Sequence, residues 1–139
     1  MYTNPMLASG SPGAGTLRGI AHDLAQELGR RVNVPLDIVG YETSAARWAD
    51  QNSGNWDVTF CAHDPARVGV AFTPPYMESE GTFLVPPGSG LHALNDIDSD
   101  GIRIAVSAHS SLDMHLSRSL ERAQLERIPG ASAAARLLI

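Results

Sequence analysis

The 139-residue chain contains no lysine, because all ten of its basic residues are arginines. The absence of lysine excludes a lysine Schiff base and a Walker-type phosphate-binding loop. The chain has a single cysteine, so it can form neither an internal disulfide nor a cysteine zinc cluster. Its formal net charge of −5 disfavours a general nucleic-acid or anionic-membrane surface.

Long apolar runs are also missing. No stretch approaches the roughly 20 apolar residues of a membrane-spanning helix, so we expect no membrane insertion. The first residues, "MYTNPMLASG", have neither the basic nor the apolar region of a secretory signal. The composition is 43% hydrophobic and 18% charged, which is typical of a globular chain with one ordinary domain or two small ones.

Apolar periodicity predicts the elements of the first half. Spacing of i, i+3, i+4 and i+7 indicates a helix over 17–32, with Thr16 as a plausible N-cap. A second helix is predicted over 43–54, with Thr43 or Ser44 as its N-cap. Largely apolar segments at 34–40 and 56–62 read as strands, so this half would form a strand–helix–strand unit.

The second half repeats this alternation. The stretch 81–90 reads as a strand followed by a loop, and 101–111 reads as a strand that runs into small polar residues. The stretch "SLDMHLSRSLERAQL", 111–125, has a helical apolar period. A brief strand at 126–130 and the beginning of a helix at 132–139 follow. The chain therefore reads as α/β.

Two predicted strands end in short polar segments, Cys61–Asp64 and Ala108–Ser111. Ligands in open α/β sheets bind at the carboxyl ends of strands, so both segments are candidate binding loops. Ordinary loops would read in the same way.

Each segment carries groups that suit an anion. Asp64 followed by proline is typical of an N-cap, and the turn that it starts would present Arg67. A guanidinium binds a carboxylate through two parallel bonds. Ser110 and Ser111, at a helix start, would add hydroxyl and N–H groups. A plain serine cap and a solvated arginine remain the alternatives.

Catalytic and metal sites are poorly supported. Cys61 and His63 would point the same way from a strand, but no third group orients them as a nucleophilic pair. His109, Asp113 and His115 lack the spacing of a metal motif. We therefore predict no catalytic residue, no metal and no cofactor.

Three stretches carry a resemblance to a known family. They are "GIAHDLAQELGRRVNVPLDIVGYE", "GNWDVTFCAHDPARVGVAFTPPYMESEGTFLVPPGS" and "LNDIDSDGIRIAVSAHSSLDMHLSRSLE". In order and spacing they resemble bacterial extracytoplasmic solute-binding proteins of ABC transporters, of the polar-amino-acid type. The match runs from about residue 17 to the end, and its motifs are informative together rather than singly.

The resemblance implies a periplasmic-binding-protein-like two-lobed α/β fold that closes on its ligand by hinge motion. Residues 1–78 would form a nearly complete lobe 1 without its first strand, and 79–139 the hinge crossing and a truncated lobe 2. Because family members are longer, we expect a fragment or a truncated gene product. The softest boundary in the sequence lies at 76–80.

The implied function is the substrate-binding component of an ABC transporter. Such a protein is periplasmic, captures an amino acid or a similar small carboxylate in an interlobe cleft, and passes it to a membrane permease. It is not an enzyme, and it binds no nucleic acid.

The resemblance also implies roles for single residues. Arg67 would clamp the ligand carboxylate, and the N–H and hydroxyl groups of Ser110 and Ser111 would complete the clamp. His109 stands where the family usually has glycine. The remaining cleft walls are assigned to Asn4, Tyr41, Glu42, Cys61, Ala62 and His63.

Two other functions remain open on this fold. One is a periplasmic enzyme similar to cyclohexadienyl dehydratase, with Glu42, His63 or His109 as the general acid or base. The other is the ligand-sensing module of a receptor. A third possibility is that this chain binds nothing by itself.

Overall fold

The computed structural model of the chain describes residues 7–10 and 15–136. The elements in this part of the chain are α1 (Ile20–Val32), α2 (Ser44–Ala49), α3 (Leu94–Ile97), β1 (Arg103–Ser107), α4 (Ser111–Ser119), β2 (Gln124–Ile128) and α5 (Ala131–Arg136). This mixture of helices and two parallel strands leaves the two-lobed fold a prediction.

The chain divides into two compact units, which are described separately below. The first unit comprises residues 1–61 and the second comprises 62–139. The lobe boundary expected from the sequence, near residue 78, lies within the second unit, and the lobe assignment stays a prediction.

Helix α1 begins three residues later than its apolar period predicts. Arg18 pairs with Ser9 in an antiparallel bridge, in which the two N–H···O distances are 2.8 and 2.9 Å. Gly19 then takes φ 121° as the N-cap, without a side-chain bond. The prediction of Thr16 as the cap is therefore wrong, because the chain is still extended at Arg18.

The end of α1 is set by a left-handed residue and a close approach. Asn33, the C-cap, has φ 55°, a conformation that asparagine tolerates better than most residues. The chain then returns over Gly29, where a Cβ atom would lie 2.7 Å from Cγ of Leu36. Glycine is required at this position because the two segments touch there.

Helix α2 is joined to the following segment by polar and aromatic contacts. Thr43 caps the helix, since its hydroxyl accepts from the N–H of Ala46 at 3.0 Å, as predicted for Thr43 or Ser44. Buried Arg47 donates from Nη1 to the carbonyl of Phe60 at 2.8 Å. Its guanidinium carbon lies 5.2 Å from the ring centroid of Trp48. A buried arginine therefore holds α2 to the segment before residue 61.

Three predicted strands are wrong. The segments 34–40, 56–62 and 81–90 contain no strand in the structure. Val58 and Leu84 are exposed, whereas Phe83 and Val85 are half-buried and pack against the core of the second unit without joining a sheet. Apolar and β-branched composition favours a strand only where a partner strand accepts its hydrogen bonds.

The second unit contains a parallel β1–α4–β2 motif. The register runs from Arg103 opposite Gln124 to Ser107 opposite Ile128. In β1, Ile104 and Val106 are buried and alternate with exposed residues, which is the period-2 pattern of a strand with one covered face. The core consists of Ile97, Ile104, Val106 and Leu116. The strands and the helix predicted in this region are confirmed with shifted ends, whereas the short α3 was not predicted.

Asp98 ties the end of α3 to the α4–β2 connection. Its carboxylate accepts the backbone N–H groups of Glu121, Arg122 and Ala123 at 3.0, 2.8 and 2.8 Å. These bonds, that of Ala123 first, lower the pKa of Asp98. The carboxylate therefore stabilises the entry into β2.

We expect Asp98→Ala to lower the melting temperature by about 5 °C, because three N–H groups lose their acceptor together. Asp98→Asn keeps one side-chain carbonyl oxygen as an acceptor, so the melting temperature of this variant should fall less. Asp100→Ala, at an exposed position two residues away, is the matched control. Thermal unfolding followed by circular dichroism measures the three changes, and equal melting temperatures for D98A and D100A would contradict the role of Asp98.

Candidate functional site

The Asp64–Arg67 segment forms a single tight turn. The N–H of Arg67 donates to the carbonyl of Asp64 at 3.0 Å, and the N–H of Ala66 donates to Oδ1 of Asp64 at 2.9 Å. The prediction of Asp64 as a helix N-cap is wrong, because no helix follows Pro65. The carboxylate of Asp64 closes the turn instead, through its bond to the N–H of Ala66.

Arg118, in the last turn of α4, binds Asp64 with both terminal nitrogens. The Nη1–Oδ1 distance is 3.1 Å and the Nη2–Oδ2 distance is 3.0 Å, so the contact is bidentate. This contact is the largest cause of the lowered pKa of Asp64. The bidentate pair therefore docks the 64–67 turn on α4.

Two positively charged side chains act on the Asp64 carboxylate. Asp64 is 4% exposed and Arg67 is 7% exposed. The positive charge of Arg67 also lowers the pKa of Asp64, although by less than the contact with Arg118 does.

The second candidate segment joins β1 to α4. Ser110 is the N-cap, and its hydroxyl accepts from the N–H of Asp113 at 3.1 Å, so the predicted serine cap is confirmed. His109, directly before it, has φ 56°. The turn 109–111 therefore stands at the carboxyl end of a parallel strand and at the start of a nine-residue helix.

An ion pair between buried Asp113 and half-exposed Arg127 supports this turn. Oδ2 of Asp113 accepts the N–H of His109 at 2.9 Å. Oδ1 of Asp113 accepts Nε of Arg127, from β2, at 2.9 Å and the hydroxyl of Ser117 at 3.2 Å. Sequence reasoning missed this pair. The signal was the capping-box spacing in "SSLD", where an acidic residue follows the serine cap by three positions.

The 64–67 turn and the His109–Ser111 turn both adjoin helix α4. The 64–67 turn contacts α4 through Arg118, and Ser111 begins the same helix. At a rise of about 1.5 Å per residue, seven residues separate the two positions by roughly 10 Å along the axis. Both segments belong to the second unit.

The residues before Asp64 are less enclosed. Cys61 is half-buried, while Ala62 and His63 are exposed. The imidazole of His63 packs edge-on against Phe72, with ring centroids 4.7 Å apart. The assignment of these residues to a binding cleft stays a prediction.

The remaining assigned residues belong to the first unit or are not described. The hydroxyl of Tyr41 donates to the carboxylate of Asp50, which raises the pKa of Tyr41 and lowers that of Asp50. Asp50 also accepts the side-chain amide of Asn55 at 3.1 Å. Glu42 is exposed. Asn4 lies outside the described residues.

The described residues contain no arrangement for a metal ion and no membrane-spanning helix, and the chain matches no known protein. Among the described residues, no group of three or more His, Cys, Asp or Glu side chains is arranged to hold a metal ion. In that same part of the chain, no helix combines the length and apolarity needed to cross a membrane. Compared with known proteins, the chain matches no family model, no curated protein and no solved structure.

Proposed function

We propose that the chain is a solute-binding protein that captures an amino acid or a similar small carboxylate without covalent chemistry. The observation that carries this proposal is the His109–Ser111 turn at the carboxyl end of β1 in a parallel β1–α4–β2 motif. Ligands of α/β sheets gather at this edge, and the start of a helix attracts anions.

The backbone of His109 supports the proposal. Its φ of 56° lies in the left-handed region, which glycine adopts without steric cost and histidine tolerates. The solute-binding proteins that the sequence resembles usually have glycine at this position. The turn therefore keeps the shape that a glycine would give it, although the side chain differs.

The start of α4 favours a small anion. The N–H groups of Ser111 and Leu112, in the first turn of α4, have no acceptor within the helix. A carboxylate suits this feature, because its two oxygens can accept from neighbouring donors.

A partner and a compartment follow from the resemblance alone. A protein of this type would work in the periplasm and deliver its ligand to the membrane permease of an ABC transporter. These two parts of the proposal depend on the ligand-binding part being correct.

Titration calorimetry of the whole chain tests the proposal. The panel contains acidic, neutral and basic amino acids, and each amino acid is compared with its carboxamide. We expect a dissociation constant near the micromolar range for at least one amino acid and binding weakened about 100-fold for its amide, because the amide loses the charge-assisted bonds. The absence of binding at millimolar ligand, or equal binding of acid and amide, would refute it.

A further inference from the structure

We infer that Asp113 and Arg127 are positioning residues for the His109–Ser111 turn and that they set its affinity for a carboxylate. This inference rests on the proposed function, because the turn is the proposed binding element. Neither residue needs to touch the ligand.

The contacts of Asp113 join three elements. One carboxylate oxygen holds the N–H of His109 in the turn, and the other holds Arg127 on β2 and Ser117 on α4. Nη2 of Arg127 also donates to the hydroxyl of Ser117 at 2.7 Å. Turn, helix and strand are therefore held by one buried carboxylate.

The bond to His109 compensates for an unfavourable backbone. A left-handed φ brings the Cβ atom of a non-glycine residue too close to the following carbonyl oxygen. Such a conformation persists where surrounding contacts hold it. The 2.9 Å bond from the N–H of His109 to Asp113 is such a contact, because it fixes the peptide between Ala108 and His109.

Arg127 makes this arrangement compatible with an anionic ligand. A lone carboxylate in the first turn of α4 would repel a carboxylate bound at Ser110 and Ser111. The contact from Nε of Arg127 to Asp113, at 2.9 Å, neutralises that charge within the fold. Loss of Arg127 should therefore weaken anion binding even while the bond from His109 to Asp113 remains.

The test uses the whole ¹⁵N-labelled chain with sodium acetate as the probe. Hydrogen exchange of the His109 amide reports the turn, and the shifts of the Ser110 and Ser111 amides during titration report binding. We expect Asp113→Asn to accelerate His109 exchange about tenfold, because an amide oxygen is a weaker acceptor than a carboxylate. Acetate affinity is compared in the Arg127 variants, which leave the Asp113 carboxylate in place. Ser117→Ala, which keeps the ion pair, is the matched control and should change affinity less than about threefold.

The Arg127 variants separate charge from packing. We expect Arg127→Met to weaken acetate binding about tenfold and Arg127→Lys to recover most of that loss, because lysine restores the positive charge beside Asp113. If D113N does not fold, this pair carries the test. Equal acetate affinities for R127M and R127K would then overturn the inference.

Other outcomes distinguish this inference from the proposed function. Acetate affinity of R127M equal to that of the wild type overturns the inference, even if His109 exchange in D113N becomes faster. Failure of the wild type to bind acetate or any amino acid of the panel overturns the proposed function. If the wild type binds none of these ligands, unchanged His109 exchange in D113N also overturns the positioning role of Asp113. Faster exchange would support the structural part of that role, which is that Asp113 holds the turn.

Discussion

Arg67→Ala is expected to weaken the binding of a small carboxylate at least about 100-fold. The proposed clamp makes two charge-assisted bonds, each worth roughly 1.5–3 kcal/mol, and tenfold in affinity corresponds to about 1.4 kcal/mol. Arg67 is 7% exposed, so its charge is poorly screened by water. Water therefore cannot take the place of the guanidinium group once that group is removed. Calorimetry with the amino acid that binds best in the panel measures this change.

Conservative variants show which property of Arg67 matters. Arg67→Lys keeps the charge but not the planar fork, so we expect only a partial recovery of affinity. Arg67→Met keeps most of the side-chain volume without charge and should bind as weakly as the alanine variant. Arg122→Ala, at an exposed position in the same unit, is the control and should bind like the wild type.

A folded Arg67→Ala variant that binds as tightly as the wild type would exclude the clamp. Circular dichroism establishes folding before any comparison of affinities. R67M serves the same purpose if the smaller alanine side chain destabilises the buried site, because it leaves less empty volume.

The elements that could be predicted from the sequence are those specified by neighbouring residues. The helical period located α1, and the serine and threonine caps located the starts of α4 and α2. Capping bonds span three residues, so a local sequence contains both partners. The start of α1 was predicted three residues too early, because the bridge between Ser9 and Arg18 keeps the chain extended there.

The elements that could not be predicted depend on distant partners. Segments 34–40 and 56–62 have strand-like composition, but the structure gives them no ladder. β1 and β2 do pair, and their register joins residues about 20 positions apart. A strand pattern therefore indicates that a segment can enter a sheet, and only the tertiary structure decides whether it does.

The same distinction applies to the candidate site. Ser110 and Ser111 could be chosen because they follow a strand that forms and because their residue types suit an anion. The strand expected before Arg67 is absent, so the choice of Arg67 rests on its residue type. The groups that support these segments could not be predicted, since Arg118 binds Asp64 across 54 positions of sequence. The role of Asp113 at the start of α4 could have been predicted, because its spacing from Ser110 follows a known capping pattern.

Arg118→Met is expected to destabilise the second unit by about 2 kcal/mol. It leaves the carboxylate of Asp64, which is 4% exposed, with the single N–H of Ala66 as a donor. A buried charge that loses its partner costs roughly 3–5 kcal/mol when both partners are buried. The Arg118 side chain is 47% exposed, so water recovers part of that cost and the expected value is smaller.

The measurement must report on the unit that contains the pair. Both tryptophans, Trp48 and Trp56, belong to the first unit, so indole fluorescence follows the wrong part of the chain. Native-state hydrogen exchange of the β1 and α4 amides gives the free energy of opening of the second unit. Arg103→Met is the control, because the Arg103–Glu126 pair is exposed and should contribute less than about 0.5 kcal/mol.

The pH dependence identifies Asp64 as the group whose interaction is lost. Its pKa is lowered in the folded chain, chiefly by Arg118, so the stabilisation is present above the ordinary value of 3.8 and is lost as the pH falls through the lowered pKa. In R118M this pKa should rise. The stability difference between wild type and R118M should therefore be largest near pH 7 and shrink below about pH 4. A difference that is the same at pH 7 and pH 3 would assign the effect of Arg118 to packing instead of to its pairing with Asp64.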